Sequence, residues 1–128
     1  MKKNSGELKR RVTVQWSQPA KAKLATLPPK VRRAILDKTK ALADCDPREA
    51  HKPLTGPLHG CYSIKVSRYR AIYTVREERL ANGDTLLLVR VVVVAVGMRK
   101  AGDRHDVYAL AERLIRFAGL EIEKPQRQ

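Results

Sequence analysis

The chain has 128 residues, with 27 Lys or Arg against 13 Asp or Glu, and carries a net charge of +14. That length suits one domain with a single real core, and the excess of cations points to nucleic acid, an anionic surface or an acidic protein as partner without specifying a fold. Cys45 and Cys61 have no CxxC or Cys/His spacing, so they read as reduced cytosolic thiols and argue against a metal site.

Residues 1–11 are polar and charged and predict a disordered basic arm. They lack the apolar stretch of a signal peptide. The longest apolar run, Leu86 to Val96, is 11 residues broken by Arg90, well short of the roughly 20 needed to cross a bilayer. The expected location is the cytoplasm, with no membrane partner. Val12-Thr13-Val14-Gln15-Trp16 alternates as a short strand. Ser17 then caps a helix with Pro19 in its first turn, which carries Leu24 and Leu27 inward and stops at Pro28-Pro29. A second helix follows, with Val31, Ile35, Leu36 and Leu42 as its apolar stripe, and the two make an αα-hairpin. Its outer face holds Lys30, Arg32, Arg33, Lys38 and Lys40, of which Lys30, Arg32 and Arg33 are candidate RNA contacts. The stretch from Pro47 to Gly60 reads as loop, and its His51 and His59 show no metal-ligand spacing.

Two strands are expected at about 61–67 and 69–77. Tyr62, Ile64 and Val66 point to one face of the first, Ser63 and Lys65 to the other. A tight reversal at Ser67-Arg68 leads into Tyr69-Arg70-Ala71-Ile72-Tyr73, and antiparallel pairing brings Lys65 close to Arg70. Facing cations repel, so this pair does nothing for folding. A bound polyanion reverses the sign of the effect, and Arg68 at the reversal is a further candidate RNA contact. Asn82-Gly83 signals a type I′ hairpin. It leads into the strand 85–97, whose β-branched residues are apolar on both faces, as a central strand requires. A final helix begins near His105, with Gly119 as its stop and an unpacked tail over 119–128. The order β-α-α-β-β-β-α predicts an α+β fold, a small antiparallel-rich sheet with an N-terminal αα-hairpin, a C-terminal helix and the helices on one side, ordered over 12–118.

Five segments in this order resemble the RelE/ParE toxin superfamily, and its RelE-like branch more closely. They are Leu54-Thr55-Gly56-Pro57, Tyr62-Ser63-Ile64-Lys65-Val66, Tyr69-Arg70-Ala71-Ile72-Tyr73, the valine strand ending in Val96-Gly97, and Arg104-His105-Asp106-Val107-Tyr108. The resemblance implies a type II toxin that cleaves mRNA in the ribosomal A site, by attack of the ribose 2′-oxygen on its own phosphate. It implies no metal or cofactor, and inhibition by a small cognate antitoxin. By position Lys65 stands for the family's sheet lysine, Arg70 for the arginine of its Tyr-Arg pair and Tyr108 for the tyrosine near the last helix. Ser63 occupies a place where a second lysine is often found. The loop arginine is either Arg99, by its distance from Gly97, or Arg104, by its distance to Tyr108. His105 is a further candidate, since some relatives use a histidine just before the terminal tyrosine.

The reaction itself asks for these residue types. A 2′-hydroxyl must lose a proton, the phosphorane oxygens must be screened and the leaving 5′-oxygen must be protonated. Arginine's fork fits phosphate and keeps its charge, which suits Arg70 and Arg99 or Arg104. Lys65, His105 and Tyr108 are the expected carriers of proton transfer and positioning, and Tyr108 also offers a ring for stacking. Two other readings stand beside this one: a ParE-like inhibitor of DNA gyrase on the same fold, and a nucleic-acid-binding module with no turnover.

Overall fold

In the computed structural model residues 9–79 and 86–117 are described. Strand β1 (Lys9–Trp16) is followed by α1 (Gln18–Leu24), α2 (Pro29–Ala41), a 3-10 turn (Leu42–Asp44) and the short α3 (Pro47–Ala50). Then come β2 (Lys52–Pro53), a second 3-10 turn (Gly56–Leu58), β3 (Cys61–Val66), β4 (Tyr69–Arg79), β5 (Leu86–Met98) and α4 (Val107–Phe117). The five strands lie in the order β1-β5-β4-β3-β2. β1 runs parallel to β5, with Lys9 opposite Leu86 and Trp16 opposite Val93, and the remaining pairs are antiparallel. The α+β fold and its element order follow the sequence pattern. Three details differ. Lys9 to Arg11 belong to β1 and not to an arm. The stretch from Pro47 to Gly60 contains α3, β2 and a 3-10 turn, because Asp46 accepts from the Arg48 N–H and Pro47 suits a first helical turn. Residues 1–8 of the expected arm, the Asn82-Gly83 turn, Gly119 and the tail lie outside the described residues.

The third difference is the larger one. The helices cover both faces of the sheet, not one. Ile64, Ala71, Tyr73, Val75, Val89 and Val91 pack under Ala20, Leu24, Leu27 and Ile35 of the α1–α2 side. Cys61, Ile72, Val94 and Ala95 pack on the opposite side with Leu54, Leu58 and with Val107 and Ala111 of α4. The reason lies in β4 and β5. Both are apolar on successive residues over 71–73 and 93–96, so each face buries a core only if something covers it.

A β-bulge sets how α4 docks. Ile72 pairs with Ala95 but Tyr73 pairs with Val93, which leaves Val94 as the extra residue. The side-chain alternation of β5 changes phase there, so Val93 and Val96 share the α1–α2 face while Val94 and Ala95 turn to α4. Two residues beyond Ala95, Gly97 meets α4 directly: a Cβ there would lie 3.4 Å from Val107 Cβ and Cγ2. The first turn of α4 thus rests close on the strand at this position.

Where β1 ends, Ser17 closes the sheet edge. Its N–H donates to Val93 O at 2.9 Å and its hydroxyl to Val94 O at 2.7 Å, while Oγ accepts from the Ala20 N–H at 3.1 Å to cap α1. Removing one hydroxyl therefore takes away both a helix cap and a hydrogen bond to a strand carbonyl. The expected cost of Ser17→Ala is about 1–2 kcal/mol, read as a lower urea midpoint at unchanged m-value; an unchanged midpoint would contradict this double role.

Candidate functional site

The candidate site grows from the α4 face of β3 and β4. Because Ile64 turns to the α1–α2 core, alternation sends Ser63 and Lys65 to the other side, about 7 Å apart along the strand. Lys65 pairs directly across from Arg70, as the alternation requires. Lys65 is exposed, and among the described residues nothing neutralises it. Arg70 is half-buried and its Nη1 donates to Ser67 O at 3.0 Å and Tyr69 O at 2.9 Å, so its guanidinium is tied to the hairpin turn. That turn has Ser67 at φ 56, the left-handed region. Arg68 beside it is exposed.

α4 brings in the aromatic group. The Tyr108 hydroxyl donates to Ser63 Oγ at 3.2 Å, so the position that departs from the sequence pattern of two lysines is the one that anchors the tyrosine. Ser63 is buried. Cys61, two residues earlier on that face, is buried and its thiol is pushed up to about 12 by burial, which leaves no thiolate for chemistry at neutral pH.

The two loop arginines separate clearly. Arg99 donates its N–H to Arg68 O at 2.8 Å, its guanidinium carbon stands 4.0 Å from the Tyr108 ring centroid, and its Nη1 lies 2.6 Å from Asp106 Oδ2. Arg104 is exposed, and its carbonyl accepts from Arg113 Nη1 at 3.1 Å. Both arginines line a cavity of about 500 Å³ with Thr55, Asp106, Tyr108 and Glu112. His105 does not share it. This exposed residue lines a separate cavity of about 440 Å³ with Lys23, Tyr69, Met98 and Lys100.

The candidate RNA contacts on α2 also stand apart. Ile35 packs in the core on the other face of the sheet, so Lys30, Arg32 and Arg33 lie behind the sheet as seen from Tyr108. Lys30 and Arg33 are exposed. Arg32 is half-buried and donates to Leu27 O at 3.1 Å, which braces the α1–α2 corner. Among the described residues no group of three or more His, Cys, Asp or Glu is placed to hold a metal ion. His51 meets Tyr73 edge-on at 6.2 Å, and burial, then the charge of Lys38, holds its pKa below the ordinary value.

One participant, Asp106, carries no role in the sequence reading. It is 3 % exposed and caps α4. Its carboxylate accepts from the backbone N–H of Lys100 and, at 3.0 Å, from that of Tyr108, besides pairing with Arg99. Burial opposes its charge, but the hydrogen bonds from Arg99, Lys100 and Tyr108 and the charge of Arg99 outweigh that and hold its pKa below the ordinary value. An acidic residue two before Tyr108, at the first turn of a predicted helix, is the signal that marks such a cap.

Residues 14–99 match the family described as ParE toxin of type II toxin–antitoxin system, parDE. The chain belongs to the RelE/ParE toxin superfamily. It is thus a toxin of a type II toxin–antitoxin system. Among solved structures, a mutant of E. coli toxin RelE in the free state has 24% identity and a TM-score of 0.53, over 84% of this chain and 98% of that one, which is a likeness of fold. The intact E. coli RelBE toxin–antitoxin complex matches at 26% identity and TM-score 0.46, over 68% of this chain and 95% of that chain. The RelBE2 toxin–antitoxin complex of Mycobacterium tuberculosis matches at 28% identity and TM-score 0.43, over 63% and 88%. No curated protein matches this toxin in sequence. Among its described residues no helix is long and apolar enough to cross a membrane.

The lowered pKa of Asp106 has a pH signature. A carboxylate whose folded-state pKa is depressed contributes stability that is complete above its unfolded value and is lost as the pH falls through the folded one. Urea denaturation from about pH 6 to about pH 3 should show wild type losing more stability than Asp106→Asn, whose side chain cannot titrate. Parallel pH profiles for the two proteins would overturn this assignment.

Proposed function

We propose that this toxin is a metal-independent endoribonuclease that cuts mRNA on the ribosome. The observation that carries the reading is the convergence on one sheet face of Lys65, Arg70 and the Tyr108 hydroxyl, with Arg99 stacked on the tyrosine ring. Facing cations repel, and the two bonds of Arg70 Nη1 to the hairpin carbonyls leave its other N–H donors, with Lys65, for a phosphodiester that bridges the pair. The ribose 2′-oxygen attacks its own phosphorus as the bond to the 5′-oxygen breaks, giving a 2′,3′-cyclic phosphate and a free 5′-hydroxyl. Arg70 and Arg99 screen the negative charge of the phosphorane oxygens. Lys65 and Tyr108 are the groups on this face that take the 2′-proton and supply one to the 5′-oxygen. Arg104 meets the RNA from the rim of the adjoining cavity, and Arg68 from the turn. His105, facing another cavity, has no step in this scheme.

Membership of a type II system calls for a cognate antitoxin. A chain of net charge +14 is met best by an acidic, partly disordered one that folds on binding. The second reading, inhibition of DNA gyrase, is favoured by the ParE family match. That match ends at residue 99, before Asp106 and Tyr108, so the part of the site supplied by α4 lies beyond it.

Primer extension on mRNA in a reconstituted translating system separates the two. Wild type should produce new ends within A-site codons. Arg70→Ala and Tyr108→Phe should each lower that cleavage by about 100-fold or more while the proteins stay folded. Intact mRNA at toxic doses, together with gyrase-mediated DNA breaks, would replace the nuclease with the gyrase inhibitor. Co-expression of the neighbouring small reading frame should relieve growth arrest in either case.

A further inference from the structure

Capping a helix requires little. An Asn or Ser at the N-cap accepts the free N–H groups of the first turn as well as an Asp does. Asp106 does more than that. Its carboxylate is 3 % exposed, and a buried carboxylate is unfavourable unless its charge is matched. Here the match is Arg99, whose Nη1 lies 2.6 Å from Oδ2, the same oxygen that accepts the Tyr108 N–H at 3.0 Å. The Arg99 guanidinium carbon in turn stands 4.0 Å from the Tyr108 ring centroid. One carboxylate therefore sets both the start of the helix that carries Tyr108 and the place of the cation over its ring.

We propose that Asp106 is a positioning residue for RNA cleavage, holding Arg99 against Tyr108 so that the guanidinium and the hydroxyl meet the scissile phosphate as one preset unit. This rests on the nuclease reading above. Arginine is long and loses much rotamer freedom when it is ordered. Arg99 has lost that freedom already, since its N–H is fixed to Arg68 O and its guanidinium to Asp106. The ion pair engages one of five N–H donors, which leaves the others for phosphate oxygens. Asp106 also offsets part of the positive charge that would attract RNA. Its contribution is therefore to the geometry of the transition state and not to the strength of RNA binding.

Asp106→Asn tests this: with its amide oxygen turned to the Tyr108 N–H it retains that capping bond, while it loses the charge and the acceptor for the Lys100 N–H. In the translating system its kcat should fall at least tenfold while KM for the programmed ribosome stays the same or drops. Arg99→Ala and the double variant complete a cycle: if Asp106 acts through Arg99, the double variant should be no slower than Arg99→Ala alone. Solution NMR supplies a readout independent of turnover. The Arg99 Nη–Hη resonances should be distinct and slow to exchange in wild type and averaged with those of the other arginines in Asp106→Asn. An unchanged kcat in Asp106→Asn, multiplicative losses in the double variant, or an Arg99 resonance indifferent to the substitution would each overturn the proposal. Wild-type protein that cuts no mRNA would sink the nuclease reading and with it the catalytic part of this one. The Arg99 resonance would still decide whether Asp106 holds the arginine.

Discussion

The constraint on which the rest depends is the two-sided burial of β4 and β5. A run such as Ala71-Ile72-Tyr73 in β4 or Val93-Val94-Ala95-Val96 in β5 has no solvent face, so the sheet is stable only when both sides are covered. The α1–α2 hairpin supplies one cover and α4 the other. Covering the second face with a single helix leaves the part of the sheet beyond that helix open. Lys65 and Arg70 sit there, on β3 and at the start of β4. Core packing and the cationic surface are thus two ends of one arrangement: the helix that completes the core also delivers Tyr108 to the edge of the exposed part.

The bulge at Val94 and the bare Cα of Gly97 make that delivery specific. The bulge changes which residues of β5 face α4, and at Gly97 the strand backbone comes close under Val107. Downstream of both, Arg99 is fixed to the β3–β4 turn through Arg68. The chain then needs only a short loop to reach the carboxylate that caps α4. Three elements distant in sequence are registered against one another by a bulge, a close glycine and a cap.

Much of this was legible in the residues. The alternation around Ile64 put Lys65 and Arg70 on one face without any knowledge of the sheet order, because a strand's period of two leaves no other choice. Ser17, Pro19 and the Pro28-Pro29 pair marked the helical hairpin through local chemistry alone. What escaped was non-local. The side of the sheet taken by α4 depends on the phase change at Val94, and a bulge has no distinct signature in a run of valines. The choice between Arg99 and Arg104 depends on a carboxylate reached across a loop, and spacing counts could not see it. His105 was a candidate through the resemblance alone; it lies in the turn before α4 and lines the cavity beside Lys23 and Met98, not the one that Tyr108 lines. Arg32 resembled the other cations of its helix until the turn carbonyls of α1 gave it a structural partner.

The two margins of the sheet carry a consequence of their own. At one margin β2 is two residues long and includes Pro53, which has no N–H to offer a neighbour. At the other, β1 is eight residues long and begins Lys-Arg-Arg. Of these, Arg10 and Arg11 are exposed. Strand-to-strand association of two copies through β1 would bring like charges together along the new seam, and association through β2 has almost no backbone to use. A protein rich in long apolar strands is thereby kept from polymerising through its own margins. Its colloidal behaviour should depend on ionic strength more than its fold does, since salt shortens the reach of the repulsion that separates the copies while leaving the buried valines untouched.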